Sequence, residues 1–175
     1  TKAQAKPVGS TSIPWPEPLK PEAYHGPIGE LARLIEPHTE ADPAAILVQS
    51  LVAFGSLIGR HSYFPVEADK HHTNLFLLLV GETSKGRKGT SWNHARRQIG
   101  AVDEVWEQVR IQSGLSSGEG LAYHVRDQTT QGNVIDEGVA DKRMLVVEAE
   151  FASVLRRMNR EGNTLSTMLR DAWDT

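Results

Sequence analysis

Gly81, Gly86, Lys88, Gly89 and Thr90 crowd one short stretch of the chain, "NLFLLLVGETSKGRKGTSWNHARRQI" (residues 74–99). Glycines let backbone N–H groups approach a phosphate with no side chain in between, a lysine offsets its charge, and a hydroxyl at a helix start helps to hold Mg²⁺. An apolar run precedes this loop and a helical pattern comes after it. Strand, glycine loop, helix is the order of a phosphate-binding loop.

The consensus G-x-x-x-x-G-K-[ST] is not met letter for letter. Gly81 and Gly86 keep its spacing, but Arg87 stands where the lysine belongs and Lys88 comes one residue later. Taking Lys88 as the phosphate lysine restores the register: its Lys-Gly-Thr ending resembles that of nucleoside monophosphate kinases. Arg87 then replaces the second glycine, so its side chain must point away from the phosphates. On this reading Gly81, Thr83, Ser84, Lys85, Gly86, Arg87, Lys88, Gly89, Thr90 and Ser91 form the nucleotide loop, with Thr90 or Ser91 as the Mg²⁺ hydroxyl. Lys85 and Arg87 add charge that either contacts a phosphate or faces solvent. The rival reading is a polar turn between a strand and a helix.

A second motif argues against a mere turn. Hydrolysis of a nucleoside triphosphate needs a carboxylate that orients the attacking water and supports the Mg²⁺ shell. "MLVVEAEF" (residues 144–151) supplies an apolar strand ending in Glu148 and Glu150, about sixty residues after the loop. Residues two apart in a strand share a face, so both carboxylates are expected to look toward one site. Glu148 is the carboxylate assigned, with Thr90, to the metal.

Other polar groups carry weaker signals. In "SGLSSGEGL" (113–121) Ser116 or Ser117 is placed to cap a short helix with Glu119 in its first turn; the alternative is that Glu119 or the serines face the γ-phosphate or a nucleic-acid strand. His71 and His72 are adjacent and diverge, His61 is the nearest third, and no His-x-x-x-His spacing supports zinc. Arg156, Arg157, Arg160 and Arg170 read as a solvated helix face, with DNA contact or an arginine finger toward a neighbouring subunit as alternatives.

Pattern along the chain gives the elements that carry these residues. Residues 1–27 hold six of the nine prolines and read as an extended arm or linker with Trp15 as an anchor. Residues 28–60 form a helical subdomain: Ile28, Leu31, Leu34 and Ile35 share a face until Pro37, and a buried helix starts at the Asp42 cap with Pro43 at its first position. Residues 61–175 are expected to form one further unit around the glycine loop, the N-terminal part of a P-loop ATPase core on the resemblance given below. "SYFPVEA" and "NLFLLLV" are expected as strands joined by "DKHHT", the second covered on both faces like a central strand of an α/β sheet. A single helix is expected from about Gly89 to Gln112, with Ile99, Val102, Val105, Trp106 and Val109 on its apolar face. "DQTTQGNVIDEGVAD" is expected as a mobile loop, "RMLVVEAEF" as a strand, and "FASVLRRMN" and "TLSTMLRDAW" as helices.

Composition narrows the class. The chain has 175 residues, 23% of them charged, a net charge of −3 and no cysteine. Such a length suits one domain with a core, and the charge balance gives no reason to expect wholesale nucleic-acid binding. Without cysteine there is no disulfide or thiolate chemistry, and a cytoplasmic setting is the expectation. The apolar run Leu75–Val80 is too short to span a bilayer, so no membrane partner is expected. A start at Thr1 and a stop at "RDAWDT" read as a piece of a longer protein.

With these residues in hand, "EPHTEADPAAILVQSLVAFGSLIGR", "HHTNLFLLLVGETSKGRKGTSW", "SGLSSGEGL" and "LVVEAEFASVLRRMNREGNTLSTMLRDAWD" resemble, in that order, the RecA-like ATPase modules of phage, plasmid and integrative-element replication proteins. These include the YfjI-like proteins, often linked to a primase/polymerase domain. The Arg-Lys-Gly-Thr loop variant is itself a mark of that family. The resemblance implies an α/β fold with a RecA-like P-loop core, here incomplete at the C-terminus and preceded by the helical subdomain. It implies ATP and Mg²⁺ binding, a helicase-type ATPase in a bacterial host cell, single- or double-stranded DNA as partner, and a ring in which a neighbouring subunit's arginine completes hydrolysis. Lys88, Glu148 and Glu150 are then the catalytic residues. An open sheet edge, where later strands would lie, invites pairing with another chain. A non-catalytic assembly or regulatory module is therefore the alternative, and a small-molecule phosphotransferase the second one.

Overall fold

The longest helix begins where the sequence caps it. The Asp42 carboxylate accepts the Ala44 N–H at 2.8 Å, Pro43 occupies the first turn, and α2 runs Pro43–Ile58. The computed structural model describes residues 17–81 and 86–174. Before α2 lies α1 (Gly26–Ile35), which leads into a short 3-10 turn, Glu36–His38, at Pro37. Ala32 and Ile35 of α1 bury against Ile46 and Leu47 of α2, with Ala41 between. Leu34 departs from the expected shared face and is 71% exposed. Trp15 lies outside the described residues.

Helix α2 is not buried all round as its composition suggested: Leu51 and Phe54 are exposed, while Ser50, Ala53 and Gly55 are buried. With its 3-10 extension to His61 it is long and apolar enough to cross a membrane by length and composition alone. Here it packs on α1 and on α3 (Lys88–Gly100). Ala53 and Leu57 of α2, Ile99, Trp106 and Leu145 make one core cluster, partly covered by Ile28 and Leu31. Helices α1 and α2 thus make one core cluster between themselves, and the second half of α2 joins another with residues 99–145.

The single helix expected over 89–112 is two. Helix α3 ends at Gly100, and α4 (Glu104–Val109) restarts at Asp103, whose carboxylate accepts the Trp106 N–H at 2.9 Å. The cap reorients the chain, so Trp106 and Ile99 are buried while Val102, Val105 and Val109 face outward. Gly100 permits the bend, since a Cβ there would lie 2.4 Å from the Glu107 side chain.

Strand pairing differs most from expectation. β1 (Tyr63–Val66) pairs antiparallel with β2 (Asp69–His72), the segment expected to be the connector; Glu67, at φ 52°, makes the tight turn. The apolar run 74–80 belongs to no sheet and is not covered. Leu75, Phe76, Leu77, Leu78 and Val80 are 49, 55, 41, 59 and 78% exposed. A strand exists only through its ladder, and among the described residues no neighbour takes up this segment's backbone groups. It is tethered at its start, where the Thr73 hydroxyl donates to the Gly55 carbonyl and Asn74 Nδ2 to the Ala172 and Trp173 carbonyls. Phe76 stacks edge-on against Trp173 at 5.2 Å between centroids.

The one parallel ladder among the described residues joins β3 (Ile111–Gln112) to β6 (Leu145–Val146). The expected strand "RMLVVEAEF" is thus cut to its middle, because pairing ends after Val147 donates to the Gln112 carbonyl at 2.9 Å. Between them lie α5 (Gly118–Tyr123) and, in place of the expected mobile loop, a hairpin of β4 (Thr129–Gln131) and β5 (Val134–Asp136). Bidentate Arg126–Asp136 pairing fixes its root, and Arg126 also lies over the Tyr123 ring at 3.9 Å. Helices α6 (Phe151–Met158) and α7 (Leu165–Asp174) come next, as expected, and close a third cluster of Leu121, Val154 and Leu165.

Candidate functional site: a lysine-closed loop and an anchored carboxylate

Arg87 is the hinge of the candidate loop. As N-cap of α3 it adopts φ 43°, ψ 27°, the left-handed conformation that a glycine enters freely and other residues rarely. The substitution that breaks the consensus keeps the glycine's backbone shape. Its guanidinium pairs with the Glu40 carboxylate, ahead of α2, with both side chains largely exposed. Arg87 therefore spends its charge on Glu40.

Lys88 is the first residue of α3, and its ammonium donates to the Gly81 carbonyl at 2.9 Å. That bond closes the loop end to end. A Cβ on Gly81 would come within 3.7 Å of the ammonium and 3.8 Å of the Gly86 Cα. Gly89 faces open space among the described residues. The first turn of α3 thus has free backbone donors, the partial positive charge of a helix start, and an ammonium folded onto the loop mouth. Thr83, Ser84 and Lys85 lie outside the described residues.

The two hydroxyls separate. Ser91 donates through its hydroxyl to the Lys88 carbonyl at 2.9 Å and is fully buried, so its oxygen is closed off from the loop surface. Thr90 is exposed and its hydroxyl has no partner among the described residues. Of the pair, Thr90 is the one fit to serve as an outer ligand.

Glu148 and Glu150 lie beyond β6 rather than sharing a strand face. The ladder has ended, and Glu150 stands just ahead of α6, its carboxylate accepting from the Ser153 hydroxyl at 3.4 Å. Glu148 turns the other way: its Oε1 accepts the Leu115 N–H at 2.5 Å. Leu115 sits in the loop after β3, so both partners leave the carboxyl ends of the parallel pair, where open α/β sheets place ligands. A recess at this end is lined by Gln112, Ser113, Leu115, Ser116, His124 and Val146, among others. No hydrogen bond or ion pair joins Lys88 or Thr90 to Glu148 or Glu150.

Of the secondary candidates, Ser117 caps α5 by accepting the Gly120 N–H at 3.1 Å. Glu119 accepts the Thr164 hydroxyl at 2.8 Å. Its own backbone N–H, then Thr164 and Ser117, hold its carboxyl below the usual range. Glu119 ties α5 to the start of α7, a structural duty. Arg157 donates to the Leu115 carbonyl at 2.7 Å and Arg156 to the Ser153 hydroxyl at 2.9 Å, so neither is simply solvated.

Sequence reasoning missed two arginines. Arg143 donates to Asp141, Asp103 and the Leu57 carbonyl, binding α2, the α4 cap and the approach to β6. Buried Arg110 donates to the Arg143 and His124 carbonyls. Three of their acceptors, on Leu57, His124 and Arg143, are backbone oxygens, which have no signature in sequence.

Mg²⁺ bound with a nucleotide takes only one or two carboxylates, the remaining ligands being phosphate and water oxygens. No cluster of three or more His, Asp or Glu stands ready among the described residues. Thr90 and Glu148 offer oxygens of the kind such a site uses, but no contact among the described residues brings the two together. Compared with protein-family models, curated proteins and solved structures, the chain shows no match.

Proposed function

We propose that this chain is the ATP-binding module of a mobile-element DNA replication protein, a helicase-type ATPase built on a RecA-like P-loop core. The observation that carries the reading is Lys88: first in α3, its ammonium lies 2.9 Å from the Gly81 carbonyl, after an arginine in glycine-like backbone conformation. A lysine so placed exchanges a backbone carbonyl for phosphate oxygens at little conformational cost. Glycine N–H groups of the loop and of the first turn of α3 cradle the phosphates, and Thr90 supplies the hydroxyl for Mg²⁺. When bound, Mg²⁺ neutralises charge developing on the β- and γ-phosphates.

Glu148 orients the attacking water. The water oxygen bonds to the γ-phosphorus as the bond from that phosphorus to the β–γ bridging oxygen breaks; the electron pair leaves with ADP, and the water's proton moves toward solvent by way of the carboxylate. Glu150, at the start of α6, is the second catalytic carboxylate. DNA is the partner, in a ring where a neighbouring subunit's arginine completes the site.

A second reading, a non-catalytic module that pairs with another chain, is favoured by one observation: the exposed, unpaired apolar run at residues 75–80. One experiment separates them. ATP hydrolysis is assayed with and without single-stranded DNA, alongside light scattering of the wild type and Leu78→Glu. DNA-stimulated hydrolysis supports the motor. A defined complex abolished by Leu78→Glu, with no hydrolysis, supports the assembly module and contradicts the motor.

A further inference from the structure

We propose that Arg157 is a positioning residue for Glu148, acting through the peptide of Leu115. The inference rests on the ATPase reading and deepens it. A carboxylate that orients a water must itself be held, since one oxygen needs a fixed anchor if the other is to keep a fixed direction. Glu148 has that anchor in the Leu115 N–H, at 2.5 Å to Oε1. An anchor on a loop is only as good as the loop. Gly114, at φ 82°, and the serines around Leu115 provide little rigidity of their own.

The rigidity comes from the opposite side. Leu115 donates through its N–H to Glu148 and accepts through its C=O from Arg157 Nη1 at 2.7 Å. Asn163 Nδ2 holds the next carbonyl, that of Ser116, at 2.8 Å. Ser117 then caps α5, so the loop is fixed on its far side as well. Glu148 and Arg157 therefore grip one residue from either side, a carboxylate on its donor and a guanidinium on its acceptor. Arg157 reaches in from α6, whose Val154 is buried beside Leu121 and Leu165 in the cluster that Leu115 partly covers. The arginine is half-buried and its hydrogen bond, like that of Glu148, is charge-assisted, so both ends of the Leu115 peptide are firmly held.

This arrangement assigns Arg157 a role distinct from the solvated face, the DNA contact and the arginine finger read for the arginine cluster. Its guanidinium is engaged within its own chain. Exposed Arg156, one residue away, bonds only within α6 and serves as the control.

The test measures steady-state ATP hydrolysis with single-stranded DNA, and calorimetric affinity for a non-hydrolysable ATP analogue, on the wild type and variants. Arg157→Ala is expected to lower kcat about 10- to 100-fold while leaving the analogue's Kd within about twofold. Arg157→Lys, which keeps one donor for the carbonyl, is expected to recover part of the loss. Arg156→Ala is expected to match the wild type. Placed on Glu148→Gln, Arg157→Ala is expected to add nothing, since a relay has no effect once its end is gone.

Amide exchange at Leu115 gives a nucleotide-independent check. It is expected to accelerate in Glu148→Gln and in Arg157→Lys, which also serves if Arg157→Ala fails to fold. Hydrolysis by Arg157→Ala equal to the wild type, or a loss that adds in full to that of Glu148→Gln, overturns the inference and leaves the ATPase reading intact. A wild type that neither binds the analogue nor hydrolyses ATP removes the reading, and the inference with it.

Discussion

Arg87 decides how far the loop tolerates its departure from consensus. A non-glycine residue in the left-handed region costs about 1–2 kcal/mol, and an exposed ion pair such as that with Glu40 returns only about 0–1 kcal/mol. The position is therefore strained rather than optimised. Arg87→Gly is expected to leave the denaturation midpoint unchanged or raised and the nucleotide affinity intact. Arg87→Val, β-branched and poorly suited to positive φ, is expected to destabilise by about 2 kcal/mol. Urea denaturation of the two variants checks both. Consensus spacing pointed to Gly81 and Gly86, and chemistry alone pointed to Lys88 and the shifted register. That Thr90 rather than Ser91 keeps a free hydroxyl was not legible, because burial of Ser91 depends on where the first turn of α3 sits in the core.

Elements that announce their own ends were readable from sequence. Asp42 with Pro43 started α2, Pro37 marked the end of α1, and Ser117 capped α5. The break between α3 and α4 had a signal too, Asp103 three residues before Trp106, but the valines at 102, 105 and 109 imitated one continuous face. Strand pairing was not legible, because a ladder is a property of two segments and a sequence shows one at a time. β2 is the clearest case: "DKHH" looks like a connector and forms a strand only because the turn at Glu67 folds it onto β1. The tether that launches the run toward the loop depends on Gly55. A Cβ there would lie 2.2 Å from the Thr73 carbonyl oxygen. Gly55→Ala is expected to destabilise by about 1–3 kcal/mol, read from the denaturation midpoint, because α2 and the backbone at Thr73 must separate.

Across the whole molecule, Arg143 is the junction that holds the helical layer to the parallel pair. Its hydrogen bonds keep Asp141 below the ordinary value of 3.8, and the Trp106 N–H, then Arg143, does the same for Asp103. Folded-state values below unfolded ones give a stabilisation that is whole above the unfolded pKa and fades as pH falls through the lowered folded-state values. Thermal unfolding is therefore expected to be level at neutral pH and to drop below about pH 4. Asp141→Asn is expected to lower the midpoint at neutral pH and to lessen the acid loss. At this scale the apolar run 75–80, exposed on the surface, and the anchored Glu148 pull toward different readings, an incomplete surface and a prepared site.

The register of the loop, with Lys88 as the phosphate lysine, underlies everything said of function. Calorimetric titration of Mg²⁺ and a non-hydrolysable ATP analogue into the wild type and Lys88→Ala addresses it directly. Saturable binding by the wild type that falls at least about 100-fold in Lys88→Ala is the expected result, as befits loss of a charge-assisted phosphate contact. Binding of equal strength by both proteins, or by neither, contradicts the assignment.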